Sequence, residues 1–211
     1  MQCLKVLLAL ALVLFTTPCI ALEKKPLSAY SRETWTTRNG LPHNQVNAVT
    51  QTPEGYLWFA TWEGLVRYNG QDFRVYTPKN LPGLQDHGIR HVSTGANGRL
   101  IVATSRGGVT VIDKGKTRTY GLTQGLAQDE SMAAVEDKQG VIWVAHESKG
   151  LSRIDPSGKV SRYGKAQGLP AERLYSVYLD HNNVVWAGTS KGMVRIENGR
   201  LQSFTEKQGL P

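Results

Sequence analysis

The side chains able to do acid–base or metal chemistry are spread thinly along this chain. Its five histidines, His43, His87, His91, His146 and His181, form no His-x-x-x-His or Glu-x-x-His pair, the spacing that sets two ligands on one element. Both cysteines, Cys3 and Cys19, fall in the first twenty residues. That excludes a disulfide, a thiolate metal site and a cysteine nucleophile from everything after them. No carboxylate pair, and no tyrosine backed by a charge cluster, stands out as glycosidase chemistry requires. No nucleotide-binding loop or cyclase motif is visible. The expectation is a chain with no catalytic residue, no metal and no cofactor. What the sequence offers instead is recognition chemistry, in polar and aromatic side chains that recur at similar places in successive segments.

An internal repeat sets those places. Leu57-Trp58-Phe59-Ala60-Thr61 returns as Leu100-Ile101-Val102-Ala103-Thr104, Ile142-Trp143-Val144-Ala145-His146 and Val185-Trp186-Ala187-Gly188-Thr189, at spacings of 43, 42 and 43. A Gly-Leu marker runs in step at Gly40, Gly83, Gly125, Gly168 and Gly209. Each unit reads as four short strands. In the first these are Val46–Gln51, Tyr56–Thr61, Leu65–Tyr68 and Asp72–Tyr76, with turns at 52–55 and at Asn69-Gly70. Later units repeat the turns at Asn97-Gly98, Gln139-Gly140 and Asn182-Asn183, and at Lys114-Gly115, Ser157-Gly158 and Asn198-Gly199. No segment keeps a helical period.

Four strands in about 40–45 residues is the arithmetic of a β-propeller blade. The fold class is therefore all-β, with four four-stranded blades in an open, incomplete ring. The blades fall at about 39–81, 82–123, 124–166 and 167–207, and a further one begins at 208–211. Trp58, Trp143 and Trp186 are expected as inter-blade core, with Ile101 as the smaller substitute. Trp35 precedes Gly40 by five, as Tyr120, Tyr163 and Phe204 precede their own marker glycines. Residues 30–37 are therefore expected to form an orphan outer strand, within an N-terminal extension over 22–38. The unit count predicts that the chain is the start of a longer protein, and that its open blade faces self-associate.

The first 21 residues read as an export signal. Lys5 gives a basic start, Val6–Phe15 is a run of ten apolar residues, and Cys19-Ile20-Ala21 supplies a small residue at a cleavage site after Ala21. Ten apolar residues are too few to span a bilayer as a helix. Net charge is +8 with no run of five basic residues. Together with export, that excludes nucleic acid as a partner. Arg74, Lys116, Arg118, Lys159, Arg162 and Arg200 fall on outermost strands, where charge discourages edge-to-edge pairing.

Alternation of strand direction puts the loop leading into each first strand and the loop joining second to third strand on one face of the disc. Leading loops bring His43, Asn44, Asp86, His87, Asp129, Glu130, Glu172 and Arg173 to it. Strand-joining loops add Trp62, Glu63, Arg106, Glu147, Lys149 and Lys191, with His146 ending a second strand beside them. From these the candidate ligand-binding set is His43, Asn44, Trp62, Glu63, His87, Arg106, Asp129, Glu130, His146, Arg173 and Lys191. Mixed charge with few aromatics suits a small polar ligand, saccharide- or peptide-like.

The repeat resembles the two component regulator propeller: a Gly-Leu lead, a turn ending in Gly, an apolar-Trp-apolar-Ala/Gly-Thr strand, then Gly-Leu/Val and an aromatic last strand. The stretch from Glu33 through Gly64 is similar to the sensors of membrane-bound diguanylate cyclases, and histidine kinases carry similar repeats. Departures are Ile101 for Trp, His146 for Thr and Asn182-Asn183 where Gly is usual. The resemblance implies a periplasmic ligand-sensing module of a bacterial receptor. It also implies a following immunoglobulin-like domain, membrane helix and output domain (cyclase or kinase), with inner-membrane anchoring and a homodimer in the full receptor. The alternatives are a secreted propeller enzyme such as a sialidase-like hydrolase, because Thr52 to Trp58 loosely echoes an Asp-box, or a protein-interaction scaffold.

Overall fold

The computed structural model of the chain describes residues 26–210, so the expected export signal and cleavage site lie outside the described residues. The chain divides at Thr34/Trp35. In the first unit the described residues contain one short 3-10 turn, Leu27–Ala29. The rest of this section concerns the second unit.

Sixteen strands form four separate four-stranded antiparallel sheets, each a simple meander. Blade 1 is β1 (Val46–Gln51), β2 (Leu57–Thr61), β3 (Gly64–Tyr68) and β4 (Phe73–Tyr76). Blade 2 is β5 (Ile89–Thr94), β6 (Leu100–Thr104), β7 (Val109–Asp113) and β8 (Lys116–Tyr120). Blade 3 is β9 (Ser131–Glu136), β10 (Ile142–His146), β11 (Leu151–Ile154) and β12 (Val160–Tyr163). Blade 4 is β13 (Leu174–Leu179), β14 (Val185–Thr189), β15 (Gly192–Glu197) and β16 (Arg200–Phe204). First strands neighbour one another in chain order, β1 by β5, β5 by β9 and β9 by β13. The blades thus make an open propeller arc.

Apolar side chains from facing sheets fill the seams between blades. Trp58, Ala60 and Leu65 of blade 1 meet Leu84, Ile89, Val92 and Val102 of blade 2. Trp143, Ala145 and Leu151 of blade 3 meet Leu174, Val177 and Val194 of blade 4. Ile101, Val109 and Tyr120 join Leu126, Ala134 and Val144 between blades 2 and 3. Each fully buried aliphatic contributes about 1.5–3 kcal/mol. Among the blade tryptophans, Trp58 and Trp143 are buried and Trp186 half-buried.

No strand spans 30–37, which corrects the expected orphan strand. The segment runs instead into a 3-10 turn at Thr37–Asn39. Trp35 instead packs on blade 1 itself, with ring centroids 4.7 Å from Tyr68, 5.5 Å from Phe73 and 6.1 Å from Phe59. Its ring covers the blade-1 sheet face that in later blades is covered by the preceding blade.

The Gly-Leu markers have a local cause. Turns at Thr37–Asn39, Leu122–Gln124, Lys165–Gln167 and Glu206–Gln208 are short 3-10 helices, each ended by a left-handed glycine: Gly40, Gly125, Gly168 and Gly209. Glycine reaches that conformation without a Cβ clash. The Asn or Gln just before it reaches back to the N-cap backbone N–H. Before Gly83 the same N-cap bond recurs, the Thr77 N–H donating to Asn80 at 2.8 Å, but Leu81 and Pro82 stand between that asparagine and the glycine. That accounts for the longer interval between Tyr76 and its marker.

The outer-strand bases are less uniform than edge protection predicts. Arg162 donates from Nε to the Gly125 carbonyl and from Nη2 to that of Leu126, both at 2.9 Å. Ser203 Oγ does the same for Gly168 at 2.7 Å, and Thr119 Oγ1 for Gly83. Fourth strands therefore clasp the leading loop of their own blade.

Candidate functional site

The loop face is held by backbone bonds before any side chain acts. Ser105 N–H donates to Gly88 O at 2.8 Å, Gly108 to Asp129 at 2.9 Å, Gly150 to Glu172 at 2.8 Å and Ser190 to Arg173 at 3.0 Å. The strand-joining loops are thereby tied to the leading loops.

On that face lies a cleft of about 720 Å³ lined by Trp62, Glu63, Asp86, His87, Arg90, Ser105, Arg106 and Glu130. Five expected residues converge there: Trp62, Glu63, His87, Arg106 and Glu130. The Arg90 guanidinium lies 5.7 Å from the Trp62 ring centroid and pairs with Glu147 at 3.2 Å. Asp86 is buried; it accepts from Ser105 Oγ at 3.0 Å and lies 3.7 Å from Arg106, whose side chain is 80% exposed. A mobile, exposed guanidinium beside a fixed carboxylate can exchange that partner for a ligand at little cost.

Other expected residues go elsewhere, for reasons of local structure. Asn44 and Asp129 each follow a marker glycine by four and accept the first backbone N–H of the 3-10 turn, from Thr37 and Leu122, both at 2.8 Å. His87 holds the same position in blade 2, where Pro78 offers no N–H to accept, and it is exposed in the cleft. His43 accepts the Gln45 N–H at 3.0 Å. Arg173 lies 3.9 Å from Glu147. Lys191 lines a separate groove with Pro170, Thr205 and Lys207.

His146 does not reach the face. It is fully buried, with Nε2 2.8 Å from Ser152 Oγ and Nδ1 3.4 Å from the Glu130 carbonyl. The carbonyl can only accept, so Nδ1 carries the proton and Nε2 accepts from Ser152. Its pKa is lowered to about 4, chiefly by burial and also by the Arg162 charge, against the raising effects of the Glu130 backbone and of the Asp129 and Glu130 charges. Burial likewise lowers His91. In the other three blades a threonine at the His146 position bonds the carbonyl across the loop: Thr61 to Gly64, Thr104 to Gly108 and Thr189 to Gly192.

Arg90 was not singled out by residue type, yet its place is periodic. Asn47, Arg90, Met132 and Tyr175 each follow a marker glycine by seven, and each sits at a β-bulge near the start of a first strand. Bulges re-aim a side chain out of the ladder. Counting from the marker would have found all four.

An open all-β propeller arc with a polar cleft on its loop face is the class this molecule defines. Residues 40–63 match the two component regulator propeller family. The chain's fold is shared with the extracellular domain of a hybrid two component system from B. thetaiotaomicron, at 21% identity and TM-score 0.70 over 82% of this chain and 26% of that one. A second such domain from the same organism gives 23% and 0.68 over 78% of this chain and 25% of the other. The chain thus spans about a quarter of those extracellular domains. Virginiamycin B lyase from Staphylococcus aureus shares the fold at 19% identity and TM-score 0.64, over 79% of this chain and 57% of the lyase. The same architecture therefore serves both sensors and a lyase. No curated protein matches the chain. Among the described residues no cluster of three His, Cys, Asp or Glu could hold a metal, and no helix is long and apolar enough to cross a membrane.

Proposed function

We propose that this chain is the ligand-sensing propeller of an exported bacterial receptor, and that the Trp62–Arg106 cleft receives its ligand. The observation that carries the reading is the release of several recognition groups from structural duty in one place. His87 stands where other blades need a cap, Arg106 is exposed, and Trp62 and Glu63 project from the adjoining loop. The ligand is small and polar, with a planar or hydrophobic patch for Trp62 and hydrogen-bonding groups for Arg106 and the carboxylates. The two histidines whose pKa burial lowers, His91 and His146, lie within blades and not in this cleft, which favours recognition over catalysis by the chain itself. Output, whether cyclic-nucleotide synthesis or phosphotransfer, belongs in this reading to a partner domain across the membrane. The protein acts from the periplasm, as a mature chain beginning at Leu22.

The test replaces Trp62 by Ala and Glu63 by Gln together in the receptor carrying this propeller. Loss of ligand-dependent output with unchanged protein level is expected. An unchanged response discards this cleft.

A further inference from the structure

The opposite, turn-side face of the disc carries a different kind of opening. Between blades 1 and 2 lies a more enclosed cavity of about 250 Å³, walled by Tyr56, Trp58, Tyr76, Leu100 and Ile112. Trp58 and Tyr76 stack at 5.5 Å with their planes 27° apart. Two polar atoms at its floor, Trp58 Nε1 and Thr52 Oγ1, are buried without a partner. A buried donor left unmatched costs about 1–3 kcal/mol.

The repeat shows how unusual that is. In blade 3, Trp143 Nε1 donates to Asp137 Oδ2 at 3.1 Å; in blade 4, Trp186 Nε1 donates to Asp180 Oδ2 at 3.0 Å. The matching turn in blade 1 has the same backbone bonds, Thr52 N–H to Tyr56 O and Gly55 N–H to Thr52 O. Yet threonine replaces the aspartate and the tryptophan stays. The equivalent seam between blades 3 and 4 is also crosslinked: Asn183 accepts from the Lys138 N–H and donates to Gln139 Oε1, both at 2.7 Å. Blades 1 and 2 are joined just before the matching turn, Thr94 Oγ1 donating to the Gln51 carbonyl at 3.0 Å, but among the described residues no hydrogen bond is seen from Pro53 or Glu54 to Asn97 or Gly98.

We propose that this seam is a second small-molecule site, taking one neutral hydroxylated ring of monosaccharide size. The volume is below the ~300 Å³ at which drug-sized pockets begin, which limits the occupant to a single ring. Neutrality follows from the mouth, where Glu54 and Asp113 balance Arg67 and Lys114. The apolar C–H face of a pyranose lies against the aromatic wall. A rotation of Thr52 about χ1 admits one hydroxyl oxygen, which accepts from Trp58 Nε1 while Thr52 Oγ1 bonds its neighbour. The site is independent of the loop-face cleft.

The test uses the full chain labelled with 15N, with the Trp58 indole resonance assigned through Trp58→Phe. D-glucose, D-galactose and D-mannose are titrated separately. At least one is expected to move the Trp58 indole signal saturably and leave that of Trp62 in place. Thr52→Asp, which supplies the acceptor found in blades 3 and 4, is expected to weaken that affinity at least tenfold. Calorimetry on Trp58→Phe, which keeps a ring but no donor, is expected to give the same loss should the aspartate variant fold poorly. The proposal is overturned if none of the three sugars moves the Trp58 signal, if only Trp62 responds, or if both variants bind as the parent does.

Discussion

His146→Thr isolates the larger share of a pH dependence that two buried histidines carry. In the folded chain the imidazole is buried and neutral, with its pKa lowered to about 4 from the ordinary 6.5. The sign follows from linkage. Between those two values the unfolded chain binds a proton that the folded chain refuses, so stability is complete above about pH 6.5 and declines as the pH falls toward 4. At about 1.36 kcal/mol per pH unit, the loss is about 2 kcal/mol by pH 5 and about 3 kcal/mol by pH 4. Threonine is the native solution at this position in the other three blades, where its hydroxyl bonds the carbonyl across the loop. His146→Thr should therefore fold and lose most of this slope, keeping the part that His91 contributes in the same direction. Urea unfolding at pH 7, 6 and 5, with m held constant, measures it. A variant whose midpoint falls as steeply as that of the parent between pH 7 and 5 would refute the assignment.

Asp137→Ala strips acceptors from Trp143 Nε1 and from the Gln139 and Val141 N–H groups, and should cost about 2–4 kcal/mol in urea unfolding. Arg99→Met removes the guanidinium paired with Glu136, whose side chain has no exposed surface; a loss of about 3 kcal/mol is expected by the same assay, and a change below 0.5 kcal/mol counts against the pair. Asp180 has its pKa held below the ordinary carboxylate value by the Trp186 indole and the Val184 N–H. Its contribution is present above the ordinary value and vanishes as the pH falls through the lowered one, so Asp180→Asn should unfold less steeply with acid below pH 4 in a circular-dichroism titration.

The strand plan was legible because hairpin periodicity and Gly/Asn turns are local signals. The expected first blade matches the observed one to within a residue at each strand end. What the sequence hid was side-chain duty. Asn44, Asp129 and His87 share one repeat position, yet two cap a turn and the third is exposed, because the N–H they cap, of Thr37 and Leu122, is replaced before blade 2 by Pro78, which has none. His146 looked like a face residue because second strands end at the rim, and only packing reveals that its ring turns inward on Ser152. Trp35 matched the aromatic spacing of fourth strands, but a strand needs an edge to pair with, and the match was to ring packing alone.

Departures from the repeat sort by whether a partner has changed with them. Ile101 replaces tryptophan where Gly95 replaces the aspartate, so donor and acceptor vanish together; a Cβ at Gly95 would collide with the Glu136 carboxylate, which fills that space and pairs with Arg99. His146 comes with Ser152 placed to bond it. Asn183 takes the left-handed position usually held by glycine, at φ 66°, and bridges back to blade 3 with its side chain. Each of these changes is locally consistent, which is what a sequence selected to fold displays. Thr52 is the exception, since it removes an acceptor from a buried indole and nothing in the fold replaces it. A rule broken without an internal remedy is expected where something outside the fold supplies the missing partner. On that ground the seam of Thr52 and Trp58, and not the rim of charged loops alone, is where binding should leave its mark.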